Sequence, residues 1–318
     1  MAFIRQYYCN ANCNNTAFFN SNYTPMLAKH NILNGIWMIN PDFALNHLPL
    51  IVSFLKGDRQ VIQQSKPSSD EPKLSAKNAI KVAVIKNDSY EIEDDEYVLP
   101  VSAPENSMAI ISIIGAITKY DQECGPVGMK TISDILTKCY ANSNIKCIVI
   151  KGDSGGGSGL AMRLLAETIS LRNKPVGFFA DDCADSAMFG IAVGCDYICA
   201  NSTLCEFGSI GTYGTIIDYR KQLEMMGINL IEIYATASTE KNKPFIDALN
   251  GKPEALRAII DVYNENFLSL VETSRGDKLK GDRKVWGTGK TWFAPQALEL
   301  GLIDGIDTFE NFITYFNS

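Results

Sequence analysis

From residue 107 onward the chain alternates short apolar runs with stretches of helical apolar spacing, and this alternation constrains the fold more than any other feature. Segment 108–114 is rich in β-formers, and 128–139 then places Met129, Ile132, Ile135 and Leu136 on one helical face. Segment 145–150 is almost wholly apolar, as a strand covered on both faces must be. The pattern continues with helix 160–171, strand 176–180, a short helix over 187–193 and strand 197–200. Strand 213–217, helix 219–226 and strand 229–234 come next. A long helix over 253–274 opens on Pro253, and short helices over 294–300 and 308–316 complete the pattern. Such alternation predicts an α/β domain on a mostly parallel sheet.

The first third has a different texture. Residues 1–25 are rich in Asn, Cys and aromatics without a period, and 32–56 form a short apolar module around Trp37, Pro41 and Leu48. Ser65-Lys66-Pro67-Ser68-Ser69-Asp70-Glu71-Pro72 reads as a polar linker, and the acidic run 91–96 as a solvated loop. The expected organisation is a leader module over 1–64, a polar and acidic linker with short strands over 65–106, and the main domain over 107–318.

Acidic residues outnumber basic ones, 36 to 29, for a net charge of −7. That sign disfavours phosphate-backbone binding, so no nucleic-acid partner is expected. No apolar run reaches the about 18–20 residues of a membrane span, and residues 1–6 lack an apolar export region, so a cytoplasmic protein is expected. The nine cysteines follow no disulfide framework. Cys9 with Cys13, and Cys195 with Cys199 and Cys205, have ligand-like spacing but no His nearby. The second set reads as buried packing, and neither a metal nor a cofactor is expected.

Two strand-to-helix turns carry the candidate chemistry. The first is Asp153-Ser154-Gly155-Gly156-Gly157-Ser158-Gly159, where glycines let backbone N–H groups approach an anion. It lacks the Gly-Lys-Ser/Thr ending of a phosphate loop and the Rossmann glycine spacing, which leaves an oxyanion hole or a plain turn. The second is Asp185-Ser186-Ala187, where Ser186 is either a helix cap or a nucleophile. Consecutive β–α units in one parallel sheet bring both turns to the same edge, where α/β folds bind ligands. A serine nucleophile needs a base, yet the two histidines, His30 and His47, both lie in the leader. A lysine can serve when burial or neighbouring charge lowers its pKa, and Lys241 and Lys243 follow the apolar stretch 230–234.

Four motifs in order give a family resemblance over about 107–307. Ser154-Gly155-Gly156-Gly157 resembles the Ser-Pro-Gly-Gly loop of the signal peptide peptidase A family of Ser/Lys peptidases, with Gly155 in place of Pro. Ala184-Asp185-Ser186-Ala187 resembles the nucleophile segment, Gly208-Ser209-Ile210-Gly211 its Gly-Ser-Ile-Gly signature, and Gly301-Leu302-Ile303-Asp304 its C-terminal Gly-Leu-Ile/Val-Asp. Lys241, 55 residues past Ser186, falls where single-domain members carry the base. The resemblance implies the Clp protease/crotonase-like ββα spiral, here with a small N-terminal extension, and a serine endopeptidase acting on polypeptides. It implies Ser186 as nucleophile, Lys241 as general base with Lys243 as the competing candidate, and Ser209 orienting that base. It gives the N–H groups of Gly157 and Ala187 to the oxyanion, and implies a homo-oligomer.

Residues 32–50 resemble the leader of phage and prophage members, which implies a prohead protease processing scaffold or capsid precursors. Housekeeping degradation of the signal-peptide-peptidase kind is the alternative. Two further readings use the same fold: a crotonase-like acyl-CoA enzyme, which needs no Ser at 186, and a catalytically idle capsid component.

Overall fold

The computed structural model describes residues 36–39, 80–86, 89–93, 103–122 and 125–317. The elements before the first helix are β1 (Ile36–Ile39), β2 (Ile80–Lys86), β3 (Ser89–Glu93) and β4 (Ser107–Ile114). Then come α1 (Met129–Ala141), β5 (Ile145–Ser154), β6 (Gly156–Ser158), α2 (Gly159–Ser170), β7 (Val176–Asp185) and α3 (Ala187–Ala192). Short strands β8 (Tyr197–Ala200), β9 (Glu206–Gly208) and β10 (Tyr213–Gly214) follow, then α4 (Arg220–Met225), α5 (Lys243–Leu249) and α6 (Glu254–Arg275). Helix α7 (Arg283–Trp286), β11 (Thr291–Phe293), α8 (Ala294–Glu299), β12 (Gly305–Ile306) and α9 (Phe309–Asn317) complete the order.

Strands β4, β5 and β7 are parallel neighbours in the main sheet, and β7 pairs in parallel with both β8 and β9. The β2–β3 hairpin extends the sheet antiparallel to β4, and β11 lies antiparallel to β9 at the other end. This is the α/β class with a parallel-dominated sheet that the alternation predicts. A second, small sheet runs β10–β1–β6.

The middle stretches of the central strands are apolar because both faces are covered there. Ala109, Ile111, Ile148, Ile150 and Phe178 pack with Ile132, Leu136, Leu165, Ile169 and Phe189 of the helices on one side. Met108, Ile110, Val149 and Phe179 pack with Phe312 and Ile313 of α9 on the other. Each fully buried side chain of this size contributes about 1.5–3 kcal/mol of transfer free energy.

Three expectations need correction. Stretch 229–234 is not a strand; Leu230, Ile231 and Ile233 are 64%, 79% and 91% exposed, because nothing among the described residues covers them. Glu91-Ile92-Glu93 belong to β3 rather than to a loop, held by backbone pairing with β2. The strand expected over 176–180 continues to Asp185, and its last three residues leave β8 and pair with β9 instead. The leader's remaining residues, the polar linker, and Cys9 and Cys13 lie outside the described residues.

Candidate active site

Both glycine- and serine-bearing turns arise at the same end of adjacent parallel strands. Ser154, the last residue of β5, is in register with Ala184 of β7, so the loop after β5 and the turn after β7 are neighbours. Ser154 is fully buried, and its Oγ accepts from the N–H of Gly156 at 3.0 Å, which sets the loop's course. Beyond it Gly157 crosses Ile117 so closely that a Cβ would collide with that residue's backbone. Helix α3 packs against β6, bringing the Gly157 strand beside the start of the Ser186 helix.

Ser186 sits at the N-cap of α3 with φ 53° and ψ −117°, a region that side-chain-bearing residues rarely adopt. Its side chain makes no capping hydrogen bond and is fully buried, and its Oγ has no hydrogen-bond partner among the described residues. The plain cap reading therefore fails here. Ser158, at the start of α2, is the serine that caps, its Oγ accepting from Ala161 N–H at 3.4 Å. A buried hydroxyl without a partner costs about 1–3 kcal/mol, as does the strained backbone. Strand β9 holds the turn from outside: Asp185 is in register with Gly208, and Ser186 N–H donates to the Gly208 carbonyl at 2.7 Å. The next residue, Ser209, is also buried with positive φ (49°), and its N–H donates to the Lys290 carbonyl at 2.8 Å.

The structure thus gathers Ser186, Ala187, Ser209 and Gly157 at one sheet edge. It does not show Lys241 with them. Lys241 is exposed, follows the uncovered stretch 228–234, and lines a cleft of about 400 Å³ with Tyr234, Ser238, Thr239 and Lys243. Lys243 is also exposed and pairs with Glu240 at 3.3 Å. Neither lysine is buried among the described residues.

Sequence reasoning passed over two neighbours. Gly208 acts through its carbonyl on the Ser186 backbone, a role no side chain announces. Cys183, on β7, lies with its Sγ 3.5 Å from Asp153 Oδ1; burial, then the charges of Asp185 and Asp153, push its thiol far up, which keeps it from acting as a nucleophile. The buried Cys139, Cys147 and Cys199 are pushed by burial to about 12, 11 and 12, as inert packing residues. Cys195 and Cys205 are buried likewise, which fits the packing reading.

The last motif is structural. Both oxygens of Asp304 receive the Arg275 guanidinium at 2.9 Å, Oδ1 also binds Lys278 at 2.7 Å, and Oδ2 accepts from Ile198 N–H at 2.9 Å. It ties the end of α6 to β8.

The family model described as Peptidase family S49 matches residues 169–317, the part that contains Ser186, Ser209 and Lys241. Protease 4 of Haemophilus influenzae is 25% identical over 210 residues, which are 64% of this chain and 33% of that protein. A Synechocystis sp. protein named as a protease, slr0021, is 27% identical over 220 residues, 66% of this chain and 73% of its own. The Na(+)/H(+) antiporter NhaA of Brucella abortus is 27% identical over 217 residues, 66% of this chain and 29% of that protein. The chain therefore spans about a third of the length of Protease 4 and of the antiporter. Among the described residues no helix is long and apolar enough to cross a membrane. Among solved structures, a ClpP1 mutant from Listeria monocytogenes aligns over 64% of this chain and 92% of its own, with 14% identity and a TM-score of 0.40. The S49 and Protease 4 matches support a serine-type peptidase, a hydrolase.

Proposed function

We propose that the chain is a serine endopeptidase working through a Ser/Lys dyad. Ser186 Oγ bonds to the scissile carbonyl carbon while its proton passes to Lys241, which then gives it to the departing amine; water releases the acyl group by the same route in reverse. Ser209 orients the lysine, and the N–H groups of Gly157 and Ala187 receive the oxyanion. The observation that carries this reading is Ser186 itself: buried, strained and without a hydrogen-bond partner, at the sheet edge shared with the Gly157 loop. Lys241 lies on an exposed segment beside Ile228, Leu230, Ile231 and Ile233. Packing between copies along that row would cover it, and we take the active form to be a homo-oligomer.

For the physiological role, protein degradation of the Protease 4 kind has the relatives in its favour. Processing of phage scaffold or capsid precursors is the narrower reading and rests on the leader resemblance alone. A fluorophosphonate probe tests the chemistry: it should add one mass label at Ser186 and none to Ser186→Ala. An unlabelled Ser186 in assembled protein would return the chain to the acyl-CoA or idle-component readings.

A further inference from the structure

The small sheet places a leader strand against the catalytic edge. Strand β1 lies between β6 and β10, antiparallel to both, with Trp37, Met38 and Ile39 opposite Ser158, Gly157 and Gly156. On its other side Ile36 and Trp37 stand opposite Gly214 and Tyr213. Its two walls belong to the two motifs around Ser186: β6 lies within the glycine motif, and β10 follows Gly208-Ser209-Ile210-Gly211.

Hydrogen bonding on β6 shows which groups face β1. The Gly156 carbonyl accepts from Ile117 N–H at 2.9 Å, and Ser158 N–H donates to the Ile117 carbonyl at 2.8 Å. Peptide groups point to alternate edges along a strand, so the N–H and C=O of Gly157 point away from Ile117, toward the edge where Met38 is the partner. An extended chain in this slot therefore offers the carbonyl at Met38's place to the N–H assigned to the oxyanion. Beside β10 lies a cleft of about 490 Å³ in which Tyr213, Ile216, Leu256 and Ile260 stand beside the charged Arg257 and Asp261, with room for a side chain of an added strand. Recognition by strand addition satisfies the added backbone and leaves such pockets to select side chains.

We propose that the slot between β6 and β10 receives the backbone of an extended, apolar polypeptide substrate, and that the chain's own β1 fills it as a built-in competitor. This rests on the serine-peptidase reading above. A strand carried by the same chain competes as an intramolecular ligand, at an effective concentration that is ~mM for short flexible linkers and excludes weakly bound peptides.

Met38→Pro removes the N–H that faces Gly157 and should release the strand. With a fluorogenic apolar peptide, the variant should show KM lower by about tenfold with kcat within about twofold, and a synthetic peptide of residues 34–42 should restore the parent's KM competitively. Unchanged KM in a folded variant that labels at Ser186 like the parent overturns the proposal and leaves the peptidase reading intact. Absence of Ser186 labelling in both proteins fails the peptidase reading instead. Amide exchange over 155–159 then reads occupancy without activity, and needs no variant that might misfold. Slow exchange in the parent, and slow exchange regained when the 34–42 peptide is added to Met38→Pro, supports the filled slot. Exchange in the parent as fast as in an open loop overturns it.

Discussion

The backbone N–H of Ser186 donates to the carbonyl of Gly208 at 2.7 Å, so the candidate nucleophile is positioned by the same segment that carries Ser209. The strained turn is thus held from outside, by β9, while the Ser186 side chain is left without a partner.

That division of labour separates activity from stability at one residue. Ser186→Ala should lower peptide hydrolysis by at least about a thousandfold. It should not lower the melting temperature, because the hydroxyl removed is buried and unpaired. Ser186→Gly should be more stable again by about 1 kcal/mol, since glycine adopts positive φ without strain. Thermal melts of the three proteins check the order; a Ser186→Ala protein destabilised by several degrees would mean the hydroxyl holds the fold.

Much of this was legible in the chain. Strands such as Ile145–Ser154 announce themselves because burial on both faces requires continuous apolar residues, and Ser186 is found by its place at the end of one such strand. The far end of β7 was not legible, because Asp181, Asp182 and Asp185 break the apolar run, and backbone pairing skips the first two before it resumes with β9 at Cys183. Stretch 229–234 misled for the opposite reason: an apolar run states that it wants cover, not whether its own chain provides it. The pairing of Trp37 with Ser158 joins segments too far apart in sequence for periodicity to connect.

Gly157→Ala should inactivate the enzyme without unfolding it. The added Cβ would strike the Ile117 backbone, which cannot swing aside as a flexible side chain could, so β6 must move and take with it the N–H proposed for the oxyanion. A loss of kcat of about a hundredfold or more is expected, with KM much less affected. Wild-type kcat in this variant would remove Gly157 from the oxyanion site.

The Arg275–Asp304 pair should govern acid stability. Burial alone would raise the Asp304 carboxyl, but the hydrogen bonds from Arg275 and Lys278 outweigh it and hold it below the usual carboxylate range. A lowered native pKa adds stability above the unfolded-state value of 3.8, and that stability is lost as pH falls through the native value. Denaturant melts should therefore be steady near neutrality and weaken below about pH 4, and Asp304→Asn should flatten that acid limb. At neutral pH Asp304→Ala should cost about 3–5 kcal/mol, because Arg275, 2% exposed, would lose its carboxylate partner and keep only the Gly301 carbonyl.

Lys241 and Lys243 are separated by substitution. Lys241→Ala and Lys241→Arg should both abolish hydrolysis, since a guanidinium does not give up its proton. Lys243→Ala should retain most of the activity, because its side chain is half exposed and its ion pair with Glu240 is a surface one worth under about 1 kcal/mol. The reverse pattern would move the base two residues along, and full activity in both alanine variants would end the dyad mechanism.

The exposed row ties that mechanism to assembly. Ile228, Leu230, Ile231 and Ile233 are 48%, 64%, 79% and 91% exposed in the single chain, immediately before the segment that bears Lys241. Burying such side chains between copies gains about 1.5–3 kcal/mol for each one fully covered, whereas a carboxylate placed among them must be desolvated without a partner. Ile231→Asp with Ile233→Asp should therefore shift the protein to monomer in light scattering at concentrations where the parent is assembled. The fold should persist by circular dichroism, since neither residue is part of the core. Hydrolysis should fall with the loss of assembly, because the segment that bears Lys241 would lose the cover proposed for the active form. In the parent, dilution through the dissociation range should lower specific activity in step with mass. A monomeric double variant with full activity would show that Ser186 finds its base within one chain, and would detach the exposed row from catalysis.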